Sequence, residues 1–384
     1  MNLSLIILII LGGTFFLAQL TKKINLPAIF SALLVGVVFS VFRLWPVLID
    51  SSTINYLSEL GMYFLLFLIG LEVNLKKVHQ NSVFIIRSAF LIIGLEAILG
   101  AVLIHQLFSL SWVIAFLVGI SFATVGEAVL IPILENFRMI NTKLGQMIIG
   151  IGTIDDLIEI ISLIFLGWII GSTGSKEPIV SFAVLLLMLG GFLFFLKSKK
   201  IKDFFTKKDL NYFSLSLIVF FLFVGLGKIA DLSVLGALMS GLSLNILFLN
   251  NQKGLKKITQ FIKSLTFDFL GPIFFFIIGS HFDLKVFLNK PFYLFLVILV
   301  IVFAKVIGSV LFTYNQLGFK GSILLATGLL IKFSTSIIIV KILYSLGIIP
   351  VDLYSILIAV SIIFVVLVPI IFTVLSVRWK KVIV

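Results

Sequence analysis

Runs of about 17 to 27 residues with hardly a charge recur along this chain, separated by short breaks rich in Lys, Gly or Pro. A helix needs about 20 apolar residues to cross a hydrocarbon layer. The pattern therefore predicts membrane helices over residues 3–20, 26–42, 56–73, 83–105, 112–134, 145–170, 179–196, 211–230, 232–249, 265–282, 291–313, 321–347 and 352–377. These are spans 1 to 13, and they leave room for only short loops. The first starts beside Met1 with no basic stretch before it and no small-residue cleavage pattern after it, so it reads as a retained span.

Composition agrees with the pattern and narrows the chemistry. Of 384 residues, 61% are hydrophobic and 12% charged, and the mean hydropathy is +1.29, which excludes a sizeable soluble domain. There is no cysteine, and the histidines are three, at 79, 105 and 281. Disulfides, thiolate nucleophiles and cysteine or histidine metal cages are thereby set aside, and no cofactor is expected. The formal charge of +13 is read as lysines gathered in cytoplasmic loops, and no nucleic-acid partner is inferred. Loops after odd-numbered spans, with the C-terminal tail, hold about 20 Lys and Arg and even loops about 5. The expected orientation is N-terminus outside and C-terminus cytoplasmic, as an odd number of spans requires.

The two ends of the chain match one another internally. Ile69-Gly70-Leu71-Glu72-Val73-Asn74-Leu75-Lys76 closes span 3, and Ile278-Gly279-Ser280-His281-Phe282-Asp283-Leu284-Lys285 closes span 10, an offset of 209 positions. The same offset lays Leu26, Ala28, Ser31 and Leu33 on Leu235, Ala237, Ser240 and Leu242; at 211, Phe122, Thr124 and Val129 fall on Phe333, Thr335 and Val340. The expected organisation is a single all-α polytopic transmembrane domain. Its first repeat covers 1–170, a connecting span and basic cytoplasmic loop cover 171–209, and a second repeat covers 210–384. Two six-helix halves with one span between them sit inverted, an architecture of secondary transporters.

Charges inside spans cost about 2.5 to 3.5 kcal/mol each at mid-bilayer and need a reason. Among them are Glu96 in span 4, Glu127 in span 5, Asp155, Asp156 and Glu159 in span 6, Lys305 in span 11, and Lys332 and Lys341 in span 12, with Arg87 near a helix end. Arg87 and Lys341 can reach the interface with their long stems. Asp155 and Asp156 are neighbours on one helix and point about 100° apart, so they can divide two jobs. A carboxylate at which a proton and a bare monovalent cation compete is the minimal device for exchanging one for the other. Lys305 is the counter-charge, and the 209 offset pairs its position with Glu96. Spans 5 and 12 carry polar interruptions at matching places, Ser121 to Glu127 and Gly328 to Ser336, the marks of broken helices that cross at midplane. Backbone carbonyls freed there, or Thr124, could ligate the cation, while Glu127 and Lys332 could offset the helix ends.

These residues resemble the monovalent cation:proton antiporter superfamily, in its bacterial sodium/proton exchanger and Kef-type branch. The likeness rests on Asp155-Asp156 in span 6, Lys305 in span 11, the Ile69 to Lys77 stretch, and Gly271-Pro272-Ile273-Phe274-Phe275-Phe276. It implies a plasma-membrane homodimer that works by an elevator-like motion, exchanging Na+, or K+ or Li+, for protons. By the same likeness Asp156 is the ion ligand, Asp155 and Lys305 form a switchable salt bridge, and the exchange is electrogenic. The chain departs from the family where span 12 reads Lys332-Phe333-Ser334 and where Glu127 and Glu159 appear; Glu127 is expected to pair with Lys332. No nucleotide-binding regulatory domain is expected. The competing readings are a Kef-like potassium efflux pathway or channel and a sodium-coupled solute transporter. An enzyme is not expected, because intramembrane aspartyl proteases place their aspartates on two facing helices.

Overall fold

The structure, a computed structural model, describes residues 3–21, 26–42, 52–72, 82–126, 130–131, 134–135, 137–173, 183, 190, 212–229, 232–248, 251–333 and 335–379. Its regular elements are helices: α1 (Leu3–Thr21), α2 (Ala28–Val41), α3 (Ser52–Glu72), α4 (Val83–Phe108), α5 (Trp112–Ala123), α6 (Lys143–Thr173), α7 (Tyr212–Ile229) and α8 (Ser233–Leu247). There follow α9 (Gln252–Ser264), a π-helical turn (Leu265–Leu270), α10 (Gly271–Ser280), α11 (Leu284–Asn289), α12 (Pro291–Gly328), α13 (Thr335–Ser345) and α14 (Val351–Arg378). Among the described residues six helices are long and apolar enough to cross a membrane, and shorter apolar ones include α2, α5, α7, α8 and α13. Predicted span 7 apart from residues 183 and 190, the basic run Lys197 to Lys208 and His79 lie outside the described residues.

Two boundaries differ from the expected spans. The lysine-rich stretch 252–264, read as a loop, is helical because Gly254, Ile258 and Ile262 recur every four residues and are buried, a face too narrow to register as a span. It continues through the π-helical turn into α10. Spans 11 and 12 are joined in α12, whose one non-helical residue is Gly318 at φ 64°, ψ 178°, a conformation that needs glycine. At the polar interruptions of the two spans, span 12 breaks after Gly328 and resumes at Thr335, and α5 stops at Ala123.

The chain divides into two compact units, Met1–Leu11 with Val47–Val73 and Leu163–Ile277, and Gly12–Pro46 with Asn74–Ser162 and Ile278–Val384. In the first unit α3 and α8 touch through glycines. A Cβ on Gly241 would lie 2.9 Å from the Gly70 Cα, and Asn245 donates to the Leu71 carbonyl at 2.8 Å. Helices in lipid gain nothing from hiding apolar surface from one another, so close backbone approach and interhelical hydrogen bonds hold them instead. Phe64, Phe67 and Phe220 fill the same unit's core.

The second unit holds the charged residues. There α4 packs on α5 through Ala97, Gly100 and Ala101 against Gly119. Tyr354 of α14 is fully buried and donates its hydroxyl proton to the Ile278 carbonyl at 2.8 Å. Ser355 accepts from the Asp283 amide at 3.1 Å, and Lys290 pairs with Asp352 at 2.5 Å. These contacts fasten α14 to the segment from Ile278 to Lys290.

Candidate functional site

Helix α5 ends because Thr124 is extended, with φ −73° and ψ 165°. The hydroxyls of Ser121 and Thr124 donate to the carbonyls of Val118 and Ser121, at 2.8 and 2.7 Å, and so satisfy part of the last turn. Beyond it Val125 and Gly126 are unwound, as are Ile331, Lys332 and Phe333 after α12. The two unwound strands meet: the Gly126 amide donates to the Ile331 carbonyl at 2.8 Å. A Cβ on Gly126 would lie 2.9 Å from the Ile331 side chain and 3.3 Å from the Phe333 amide nitrogen, so the crossing has room for glycine alone.

Two lysines serve the open end of α5. Lys305 of α12 donates to the Ala123 carbonyl at 2.7 Å and Lys332 to the Thr124 carbonyl at 3.0 Å. Carbonyls at a helix C-terminus carry partial negative charge and want cationic partners. Both lysines are fully buried, and each needs a full counter-charge besides. Glu96 of α4 supplies it to both: its Oε2 lies 2.9 Å from the Lys305 Nζ and its Oε1 2.9 Å from the Lys332 Nζ. One carboxylate thus bridges two ammonium groups.

Lys305, expected in a switchable salt bridge with Asp155, here sits on Glu96, and Lys332 sits on the same carboxylate. Glu127, the partner expected for Lys332, lies outside the described residues. Glu96 had only its repeat offset to recommend it, and that offset, which matched it to Lys305, was the one sequence signal for the pair. The Ala123 carbonyl and the Val125 amide carry no sequence signal, since main-chain groups are the same at every residue.

Asp155 lies on α6, buried, with its Oδ2 accepting from the Val125 amide at 2.6 Å. Its Oδ1 is buried with no hydrogen-bond partner, and a buried unpaired oxygen of this kind is costly unless something else occupies it. The charges of Lys305, Asp156 and Lys332 all act on this carboxyl. Asp156 is partly exposed. Glu159, one turn after Asp155 on the same face, is buried, and its carboxyl faces the hydroxyls of Thr335 and Thr124. Thr124 therefore serves three neighbours, with its carbonyl on Lys332 and its hydroxyl between Ser121 and Glu159.

The structure brings Glu96, Thr124, Asp155, Glu159, Lys305 and Lys332 together around the crossing, with Asp156 beside Asp155. Among the described residues four carboxyl groups face two ammonium groups. An excess of two negative charges in a buried place demands protons, a cation, or both.

Comparison with known proteins gives the same direction. Residues 6–378 match the family described as sodium/hydrogen exchanger, transmembrane. The chain is 28% identical over 377 residues to a protein of Methanocaldococcus jannaschii named Probable Na(+)/H(+) antiporter 3, covering 94% of each chain. It is 26% identical over 350 residues to the Na(+)/H(+) antiporter of Enterococcus hirae, covering 88% of each. Its fold resembles the solved structure of the sodium proton antiporter MjNhaP1 from Methanocaldococcus jannaschii at pH 8, with a TM-score of 0.66 at 19% identity over 98% of this chain and 96% of that one.

Proposed function

The chain belongs to the sodium/hydrogen exchanger family, and from that premise we propose that it exchanges a monovalent cation, sodium in the first place, for protons at Asp155 and Asp156. It is a multi-pass helical membrane protein of the family's transporter type. The observation that carries the site assignment is the buried Oδ1 of Asp155, left without a hydrogen-bond partner beside Asp156 while both nearby lysines are held by Glu96. Asp156 is the primary ligand, Asp155 the second, and Thr124 an oxygen donor from the crossing. A proton and a dehydrated cation cannot share the same carboxylate oxygens, so loading one expels the other. Two protons neutralise the excess of two negative charges on one half of the cycle, whereas one cation leaves a net charge of one on the other, and this difference makes the exchange electrogenic.

Glu127, Lys332 and the repeat-related breaks belong to the same reading. The two unwound strands balance charge at midplane, and two inverted six-helix halves among about thirteen spans would place them there. The working unit is a homodimer in the plasma membrane, N-terminus outside and C-terminus cytoplasmic, whose ion-carrying core moves by an elevator-like motion.

Reconstitution tests this directly. Purified protein in liposomes with an interior pH dye and an imposed proton gradient is expected to move protons when sodium is added, with lithium and potassium as the comparison ions. When the membrane potential is set to different values, the flux should change with it, as an electrogenic exchange requires. Silence with all three ions at several pH values, potential clamped, would sink exchange; tracer uptake of solutes and electrical recording would then test the coupled-solute and channel readings.

A further inference from the structure

We infer that Glu96 is the positioning residue that holds Lys305 off the cation site, so that Lys305 has two alternative carboxylate partners, Glu96 and Asp155. The inference rests on the exchange reading above and deepens it.

Lys305 is fully buried and reaches Glu96 Oε2 at 2.9 Å and the Ala123 carbonyl at 2.7 Å. An ammonium has three protons to place, and Asp155 is another carboxylate on which its charge acts. Asp155 has its Oδ2 fixed by the Val125 amide and its Oδ1 without a hydrogen-bond partner. A lysine on Oδ1 and a cation on Oδ1 exclude each other.

Glu96 cannot follow the lysine. Its other oxygen is held by Lys332, itself anchored on the Thr124 carbonyl. Its backbone is fixed as well, because a Cβ on Gly119 of α5 would lie 2.5 Å from the carbonyl oxygen of Ala97, the next residue along α4. The long flexible lysine is then the member that changes partner. Glu96 carries one negative charge against two positive ones, so its hold on Lys305 is incomplete. That leaves Lys305 able to replace a departing cation at Asp155.

Glu96→Gln keeps the shape and removes the charge. Lys305 then has Asp155 as its remaining charged partner, and a cation must displace it. In calorimetric titration of the purified protein the sodium Kd should rise at least about tenfold, with the transport KM rising in step. In a Lys305→Gln background the same change should alter Kd by less than about twofold, because the competitor is gone. Glu96→Asp retains the charge and so protects folding, but its shorter stem spans the two lysines poorly. It should raise Kd about threefold, and only when Lys305 is present.

A purely structural glutamate gives a different result: lowered thermal stability in both backgrounds with no dependence of sodium affinity on Lys305. An equal rise in Kd with and without Lys305, or no rise in Glu96→Gln or Glu96→Asp, would overturn the inference. A wild type that binds sodium but moves no protons overturns the exchange reading instead, and this inference with it.

Discussion

Asp156→Asn is expected to lose sodium-dependent proton movement by at least about 100-fold, since a buried cation that loses a charged ligand forfeits around 3 kcal/mol of binding. The side chain keeps its volume, so the helix is undisturbed, but an amide neither releases a proton in the working range nor offers a net charge. Asp155→Asn should behave differently in kind. Its Oδ2 accepts from the Val125 amide, and the asparagine oxygen can retain that bond, so the crossing stays tied to α6 while the unpartnered Oδ1 becomes a donor that repels a cation. Both variants should therefore fold, with melting temperatures near wild type, and both should fail in the liposome assay. The measurement is the initial rate of the interior pH dye after sodium addition, at several pH values. If Asp156→Asn runs at more than a tenth of the wild-type rate, the ligand assignment is wrong.

What could be read from the sequence follows physical cost. An acid pair in Gly150-Ile151-Gly152-Thr153-Ile154-Asp155-Asp156 is expensive in a span, so its presence alone marks it, and the structure places it against the broken end of α5. The break itself was legible because Ser121, Thr124 and Gly126 interrupt an otherwise apolar run, as Lys332 and Thr335 do in predicted span 12. Partner choice was not legible. Lys305 can reach more than one carboxylate, and only the packing of α4 on α5 decides that Glu96 is close enough to bridge it to Lys332. The helix at 252–264 was hidden for another reason: its buried face is three residues, Gly254, Ile258 and Ile262, and four lysines mask so narrow a stripe in any hydropathy average.

That packing sets up the second large effect. Gly119→Val is expected to cost folded protein and transport together. A Cβ at Gly119 would sit 2.5 Å from the Ala97 carbonyl oxygen and 2.9 Å from the Ala101 amide nitrogen. Both are main-chain atoms of α4 and cannot rotate away. Relief requires α4 and α5 to part, at an overpacking cost of about 1 to 3 kcal/mol or more, which lowers the melting temperature by roughly 5 °C. The same displacement acts on the site. Ala97 follows Glu96, and Ala123 lies one turn beyond Gly119, so parting the helices draws the bridging carboxylate away from the carbonyls that hold the two lysines.

Gly94→Ala on the same α4 is the control, because a Cβ there meets nothing within 4 Å and alanine favours a helix over glycine by about 1 kcal/mol. Thermal unfolding in detergent and the liposome assay on both variants decide the matter. If Gly119→Val melts and transports like wild type, the helices are not in backbone contact and the bridge at Glu96 does not depend on them. If it melts low while Gly94→Ala does not, the small-residue seam between α4 and α5 is what fixes the distance between the buried acid and its two lysines.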